Sequence, residues 1–272
     1  MTRAGHGSDL SALSPIGRET LQEQAYGKLK EALMSGRFTP GQNITLRATA
    51  AALGTSPMPV RDALRRLETE RALVARPNRT LGVPEMTCDS LVELCEVRMA
   101  LEGLAAEKAA RTITLPELAQ VDALYKAMAQ AAESGDLVAY TRVNWAFHAE
   151  IYRASRSELL VSLIEPIWMR VGPYVHLMMP DRKSLIVSLP NHRRAREALR
   201  RHDPVLAREA IMNDIHESAD GLAQALAAAA GMPGQMEKKP SRNPSPAALA
   251  LAEQTEESGR RSGPVRRPGR SR

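Results

Sequence analysis

The chain has 272 residues, a formal net charge of +6 and 43% hydrophobic residues. That length points to about two domains. The apolar fraction excludes disorder throughout, and no apolar run approaches the ~18 residues of a membrane-spanning helix. Met1 to Arg18 lacks the charged-then-apolar layout of a secretory signal. Two cysteines, Cys88 and Cys95, are too few for a disulfide framework, so a reducing cytoplasm is the expected compartment. Residues 1–87 carry 12 basic and 8 acidic side chains, residues 88–232 carry 16 and 19, and residues 233–272 carry 9 and 4. A basic front on a larger, slightly acidic body points to a polyanion-binding head joined to a module with another task.

Residues 1–17 are small and polar and read as a flexible arm. Ala25, Leu29, Ala32 and Leu33 mark a first helix that stops at Ser35-Gly36, before a Thr39-Pro40-Gly41 turn. Leu46 to Leu53 is a short helix ended by Gly54. Ser56 then suits an N-cap and Pro57 the first helical position, where no N–H is needed. Val60, Leu64 and Leu67 give that third helix a buried face. The apolar runs Ala72–Ala75 and Leu81–Val83 flank Arg76-Pro77-Asn78-Arg79, which reads as a hairpin with a basic tip. Three helices followed by such a hairpin make residues 18–87 a winged helix-turn-helix.

From residue 88 to 230 the apolar spacing is helical throughout and no strand alternation occurs, which predicts an all-α bundle of about six helices. They cover 89–111, a segment after the Thr114 cap, 137–155, Leu159 to Met179, 183–202 with a break at Pro190, and 204–229. Residues 231–272 are rich in Pro, Ser, Gly, Arg and Lys with no aromatic residue, and read as a disordered basic tail.

Two sets of residues carry a family resemblance. Gly36…Pro40-Gly41, Ala51–Ser56 and the run Pro59-Val60-Arg61-Asp62-Ala63-Leu64-Arg65-Arg66-Leu67-Glu68 resemble the N-terminal domain of GntR-type bacterial transcription regulators. Val97–Glu102, Asn144…Phe147-His148, His192 and His216 resemble the FCD ligand-binding domain of the FadR subgroup. The resemblance spans roughly residues 20–230. It implies a ligand-responsive regulator that binds a double-stranded DNA operator as a homodimer, with no membrane association. Such a protein is cytoplasmic and nucleoid-associated when DNA-bound, most simply a repressor released by a small organic acid.

A recognition helix reads base edges from its N-terminal part. Ser56, Met58 and Arg61 occupy that part, Arg65 and Arg66 follow one turn later, Arg47 fronts the preceding helix, and Arg79 lies at the wing tip. An arginine there bonds guanine bidentately or clamps phosphate. Two departures bear on the operator: Pro57 stands where relatives often have a polar or basic residue, and Arg71 where glycine is common.

In the second module, Asn144 and His148 are four apart and share a helix face, while His192 and His216 lie on two later helices. The resemblance makes these four the ligands of a divalent metal ion, zinc or nickel, since imidazoles with one oxygen donor suit such metals. Asn144 replaces the family's usual Asp and implies a weaker first bond. Arg98 has two readings: pairing with Glu102 one turn on, or, as the resemblance implies, binding an effector carboxylate. His6, His176 and His202 read as tail, helix-end and surface residues without a role. Two other functions compete. A metal-dependent enzyme on a three-histidine bundle would leave the winged head idle and lacks an H-E-x-x-H run. An architectural nucleic-acid binder would leave the histidines idle.

Overall fold

The computed structural model describes residues 20–77 and 80–229, with side chains to residue 227. The expected arm (1–17), tail (231–272) and Asn78-Arg79 at the wing tip lie outside the described residues.

The head forms as its local signals dictate. α1 (Leu21–Met34) opens on a capping box, in which the Thr20 side chain accepts from the Glu23 N–H and the Glu23 carboxylate accepts from the Thr20 N–H. β1 (Asn43–Ile44) leads into α2 (Leu46–Ala52), capped by Thr45. α3 (Pro57–Thr69) buries Val60, Ala63, Leu64 and Leu67, one stripe at 3.6-residue spacing, against Ala25, Leu29 and Leu33 of α1. Its exit is made by Arg71 at φ 58, a left-handed backbone that normally calls for glycine.

The wing is β2 (Val74–Arg76) and β3 (Thr80–Gly82), paired antiparallel. β1 joins on the other side of β3, giving the order β1-β3-β2. The sequence reading held the hairpin but not β1, because two residues are too few to show alternation.

The bundle comprises α4 (Cys88–Thr112), α5 (Leu115–Ser134), α6 (Leu137–Ala154), α7 (Glu158–Val171), α8 (Val175–Met178), α9 (Arg182–Arg200) and α10 (Pro204–Ala229). α4 packs along α10 and touches α6 and α7, while α5 lies against α6 and α9. Two expectations change. The helix expected from Leu159 to Met179 is split by a 3-10 turn at Gly172–Tyr174, where Pro173 has no N–H to continue the ladder. The break expected at Pro190 does not occur, and α9 runs through it.

Head and bundle join through the end of α7. The Lys30 ammonium meets the Glu165 carboxylate at 2.5 Å. Gly172 sits on the last turn of α1, so closely that a Cβ would overlap the Leu33 carbonyl oxygen. The Tyr174 hydroxyl donates to the Pro84 carbonyl (3.0 Å) and accepts from the Met86 N–H (2.5 Å). His176, expected to be idle, places Nε2 2.9 Å from the Gly36 carbonyl oxygen. His202 likewise bonds the Ala110 carbonyl, Nδ1 to oxygen 2.9 Å.

Candidate DNA-reading face and candidate metal centre

On α3 the exposed face carries Ser56, Met58, Arg61 and Arg65, and Arg47 is exposed at the front of α2. Among the described residues, no carboxylate pairs with Arg47, Arg61 or Arg65. The Arg61 guanidinium instead lies along Met58, Nη1 to Sδ 3.5 Å. Ser56 occupies the N-cap position, yet its hydroxyl makes no capping bond. The reason is in the sequence: the residue that would donate from the N3 position is Pro59, which has no N–H. The hydroxyl therefore stays available on the exposed tip of the helix. Arg66, one residue along, is spent differently. It stacks 3.7 Å over the Tyr26 ring and bonds Glu70, which also accepts from the Tyr26 hydroxyl.

In the bundle, α6 brings Asn144 and His148, α9 brings His192 and α10 brings Asp214 to one buried point. His148 Nε2 lies 3.2 Å from His192 Nε2, and Asn144 Oδ1 lies 2.8 Å from His192 Nε2. Asp214 approaches both rings, Oδ2 to His148 Nε2 at 3.4 Å and Oδ1 to His192 Nδ1 at 3.3 Å.

His216 is not part of this group. It is exposed, with Nε2 3.9 Å from Asp220. Two residues on a helix are about 200° of rotation, so positions 214 and 216 face opposite ways. The signal for Asp214 was present in the sequence: the buried residues Ala207, Ala210, Ile211, Ile215, Ala219 and Leu222 define one stripe, and 214 falls on it.

The other ring nitrogens fix the tautomers. His192 Nδ1 faces only acceptors, with the Ser188 carbonyl at 2.9 Å, so it carries the proton. The Tyr152 hydroxyl donates to Glu102 Oε2 at 2.5 Å, so its oxygen accepts from His148 Nδ1–H at 3.2 Å. Both Nε2 atoms are then bare. They converge with a carboxylate and an amide oxygen, so lone pairs meet with no proton between them. Such a cluster of donors is stabilised by a cation. Burial pushes the His192 imidazole below its ordinary pKa against the pull of Asp214. Burial also opposes ionisation of Asp214, but the imidazoles outweigh it and hold its carboxyl below the usual range. The His192 shift favours the neutral ring that ligates a metal.

Arg98 follows its pairing alternative. It and Glu102 are buried together, Nε to Oε1 at 2.7 Å and Nη2 to Oε2 at 3.2 Å. Its guanidinium lies 5.0 Å from the Trp168 ring, which in turn lies 5.2 Å from the His148 ring. Tyr152, Trp168 and Asp214 are the members of this site that the sequence did not point to, while Glu102 was expected only as the partner of Arg98.

Comparison with known proteins agrees with both halves. Residues 21–83 match the model of the bacterial regulatory proteins of the gntR family, and residues 93–217 match the FCD domain. The HTH-type transcriptional regulator McbR of Escherichia coli is 35% identical over 159 residues, which cover 58% of this chain and 72% of that one. This chain belongs to the GntR family. It is a DNA-binding transcription regulator with a GntR head and an FCD bundle, and the relatives it matches are regulators rather than enzymes.

The solved structure of E. coli McbR/YncC superposes on this GntR regulator with a TM-score of 0.72 and 30% identity, covering 76% of this chain and 99% of that one. A probable D-xylose utilization operon transcriptional repressor of Paenarthrobacter nicotinovorans is 29% identical over 200 residues, 74% of this chain and 88% of its own. A GntR regulator from Rhodococcus sp. RHA1, at 21% identity and TM-score 0.61, shares the fold. Among the described residues no helix is long and apolar enough to cross a membrane.

Proposed function

We propose that this GntR regulator is a cytoplasmic homodimeric repressor that leaves its operator when a small organic acid binds beside a divalent metal in the FCD bundle. The observation that carries the reading is the convergence of two bare Nε2 atoms, the Asp214 carboxylate and Asn144 Oδ1. We take residues 18–87 as the DNA-reading module and 88–230 as the effector and dimerisation module. Arg47, Ser56, Met58, Arg61, Arg65 and Arg79 contact the operator. Two heads are needed because one recognition helix reads only a few base pairs.

Asn144, His148, His192 and Asp214 hold the metal. The carboxylate that the family usually has at the Asn144 position is supplied here from α10, so the set keeps one negative charge. Two imidazoles, a carboxylate and an amide oxygen are harder than three imidazoles and an oxygen. They admit manganese and iron(II) beside zinc and nickel. When bound, the ion supplies positive charge and open positions for an acid's carboxylate. Arg98 uses two N–H groups on Glu102 and keeps others for a ligand oxygen. Switching requires that the acid favour the released state over the DNA-competent one. α4 leads from the wing into the site, and α7 runs from the site to the head, so both can carry that difference.

The test is a nuclease footprint of the metal-loaded protein on DNA flanking its own gene, with metal analysis of the purified protein. Symmetric protection of a palindrome, relieved by an organic acid, is expected. A protein that takes up no transition metal when supplied with it contradicts the reading.

A further inference from the structure

Trp168 lies beside Arg98 and His148, the residues to which the reading above assigns the ligand, and its one polar atom has no partner among the described residues. The residue is buried, with its ring 5.0 Å from the Arg98 guanidinium, 5.2 Å from the His148 ring and 5.1 Å from the Trp145 ring. Among the described residues, three buried side-chain nitrogens lack a hydrogen-bond partner: Arg76 Nε, Arg196 Nε and Trp168 Nε1. The two arginines still face carboxylates through ion pairs with Glu85 and Asp122. The indole has no second polar atom to compensate. A buried donor without an acceptor is costly, and phenylalanine would fill the same stack without that cost. Tryptophan is used in interiors where its N–H reaches an acceptor.

We infer that Trp168 is a specificity-determining residue of the ligand site, its indole N–H donating to an oxygen of the bound acid other than the carboxylate. The inference rests on the acid-binding reading under Proposed function and narrows it. The preferred effector class is a small acid with a hydroxyl or carbonyl oxygen near its carboxylate. The carboxylate goes to the cation and the Arg98 fork, and the additional oxygen goes to Trp168. Position adds a consequence. Trp168 lies one helical turn before Gly172, the point where α7 presses on α1, so a ligand held at the indole acts on the element that touches the head.

The test uses full-length, zinc-loaded protein with nitrogen-15 labelled indoles and imidazoles, and two acids that differ only by a hydroxyl, acetate and glycolate. The chain has two tryptophans, so two indole signals are seen, assigned with Trp145→Phe. Both acids are expected to move the imidazole signals of His148 and His192. Glycolate alone moves the Trp168 indole proton downfield. Glycolate also binds about tenfold more tightly than acetate, a preference that Trp168→Phe abolishes.

An indole signal unmoved at saturating glycolate, while the imidazoles respond, overturns this inference and leaves the acid-binding reading standing. An equal glycolate preference in Trp168→Phe does the same. Imidazoles that respond to neither acid overturn both. The indole measurement on the unmutated chain decides the matter even if Trp168→Phe fails to fold.

Discussion

Gly172 and Leu33 meet backbone to backbone: a Cβ at position 172 would overlap the Leu33 carbonyl oxygen and crowd Met34. This contact, with Lys30–Glu165, Tyr174–Pro84 and His176–Gly36 around it, fixes the DNA head to the end of α7. Gly172→Ala is therefore expected to destabilise the chain by ~1–3 kcal/mol, since neither backbone can yield without moving α1. Urea denaturation reads the loss. Lys30→Ala removes a part-buried ion pair and is expected to cost under ~1 kcal/mol. Equal losses from the two variants would place the joint in charge rather than in close packing.

Asp214 and His216 make opposite predictions for metal binding. Asp214→Ala removes the one carboxylate of the buried group and is expected to weaken metal binding tenfold or more. His216→Ala changes an exposed side chain on the far side of α10 and leaves binding unchanged. Competition against a chromogenic chelator compares them. Removing Tyr152's hydroxyl, as Phe, takes away the acceptor that holds His148 Nδ1–H and is expected to give a smaller loss than Asp214→Ala.

Arg61 and Arg66 are five residues apart on α3 and separate affinity from stability. Arg61→Ala is expected to weaken operator binding by about 1–3 kcal/mol per half-site with an unchanged melting temperature. Arg66→Ala loses its stack on Tyr26 and its bond to Glu70. It is expected to destabilise the head by about 1 kcal/mol while DNA affinity at fixed salt is retained. Gel shifts and thermal melts on both variants distinguish the roles.

Arg71 holds a left-handed backbone at φ 58. Arg71→Gly relieves a cost of about 1 kcal/mol and is expected to raise the stability of the head by that order. A fall in stability would mean that the exposed guanidinium contributes more than the backbone strain removes. Thermal denaturation reads the sign directly.

The nine basic side chains of residues 233–272 can release counterions from any duplex. Deleting them is expected to flatten the salt dependence of DNA binding and leave operator preference intact. Titrations at several salt concentrations on operator and unrelated DNA test this.

The helix starts and stops were local facts and could be read along the chain. Gly54, the Ser56-Pro57 entry, the Thr114-Leu115-Pro116 cap and the buried stripe Val60, Leu64, Leu67 each depend on a few neighbouring residues. They were enough for the winged head, the helical bundle and the family. Asn144, His148 and His192 were found by spacing and resemblance, and they do converge. His216 was expected as the last member from the resemblance, but the rotation of α10 turns it to solvent and brings Asp214 to the centre instead. Which side of a helix faces a site is set by packing against other helices, here α10 on α4 and α9, and that is not a local property. The same reason hid the Arg98–Glu102–Tyr152–His148 chain and the unpartnered indole of Trp168. Arg98 and Glu102 are one turn apart and could be paired in advance, but Tyr152 and Trp168 reach them from distant helices, and only the closing of the bundle removes the water that would otherwise satisfy them.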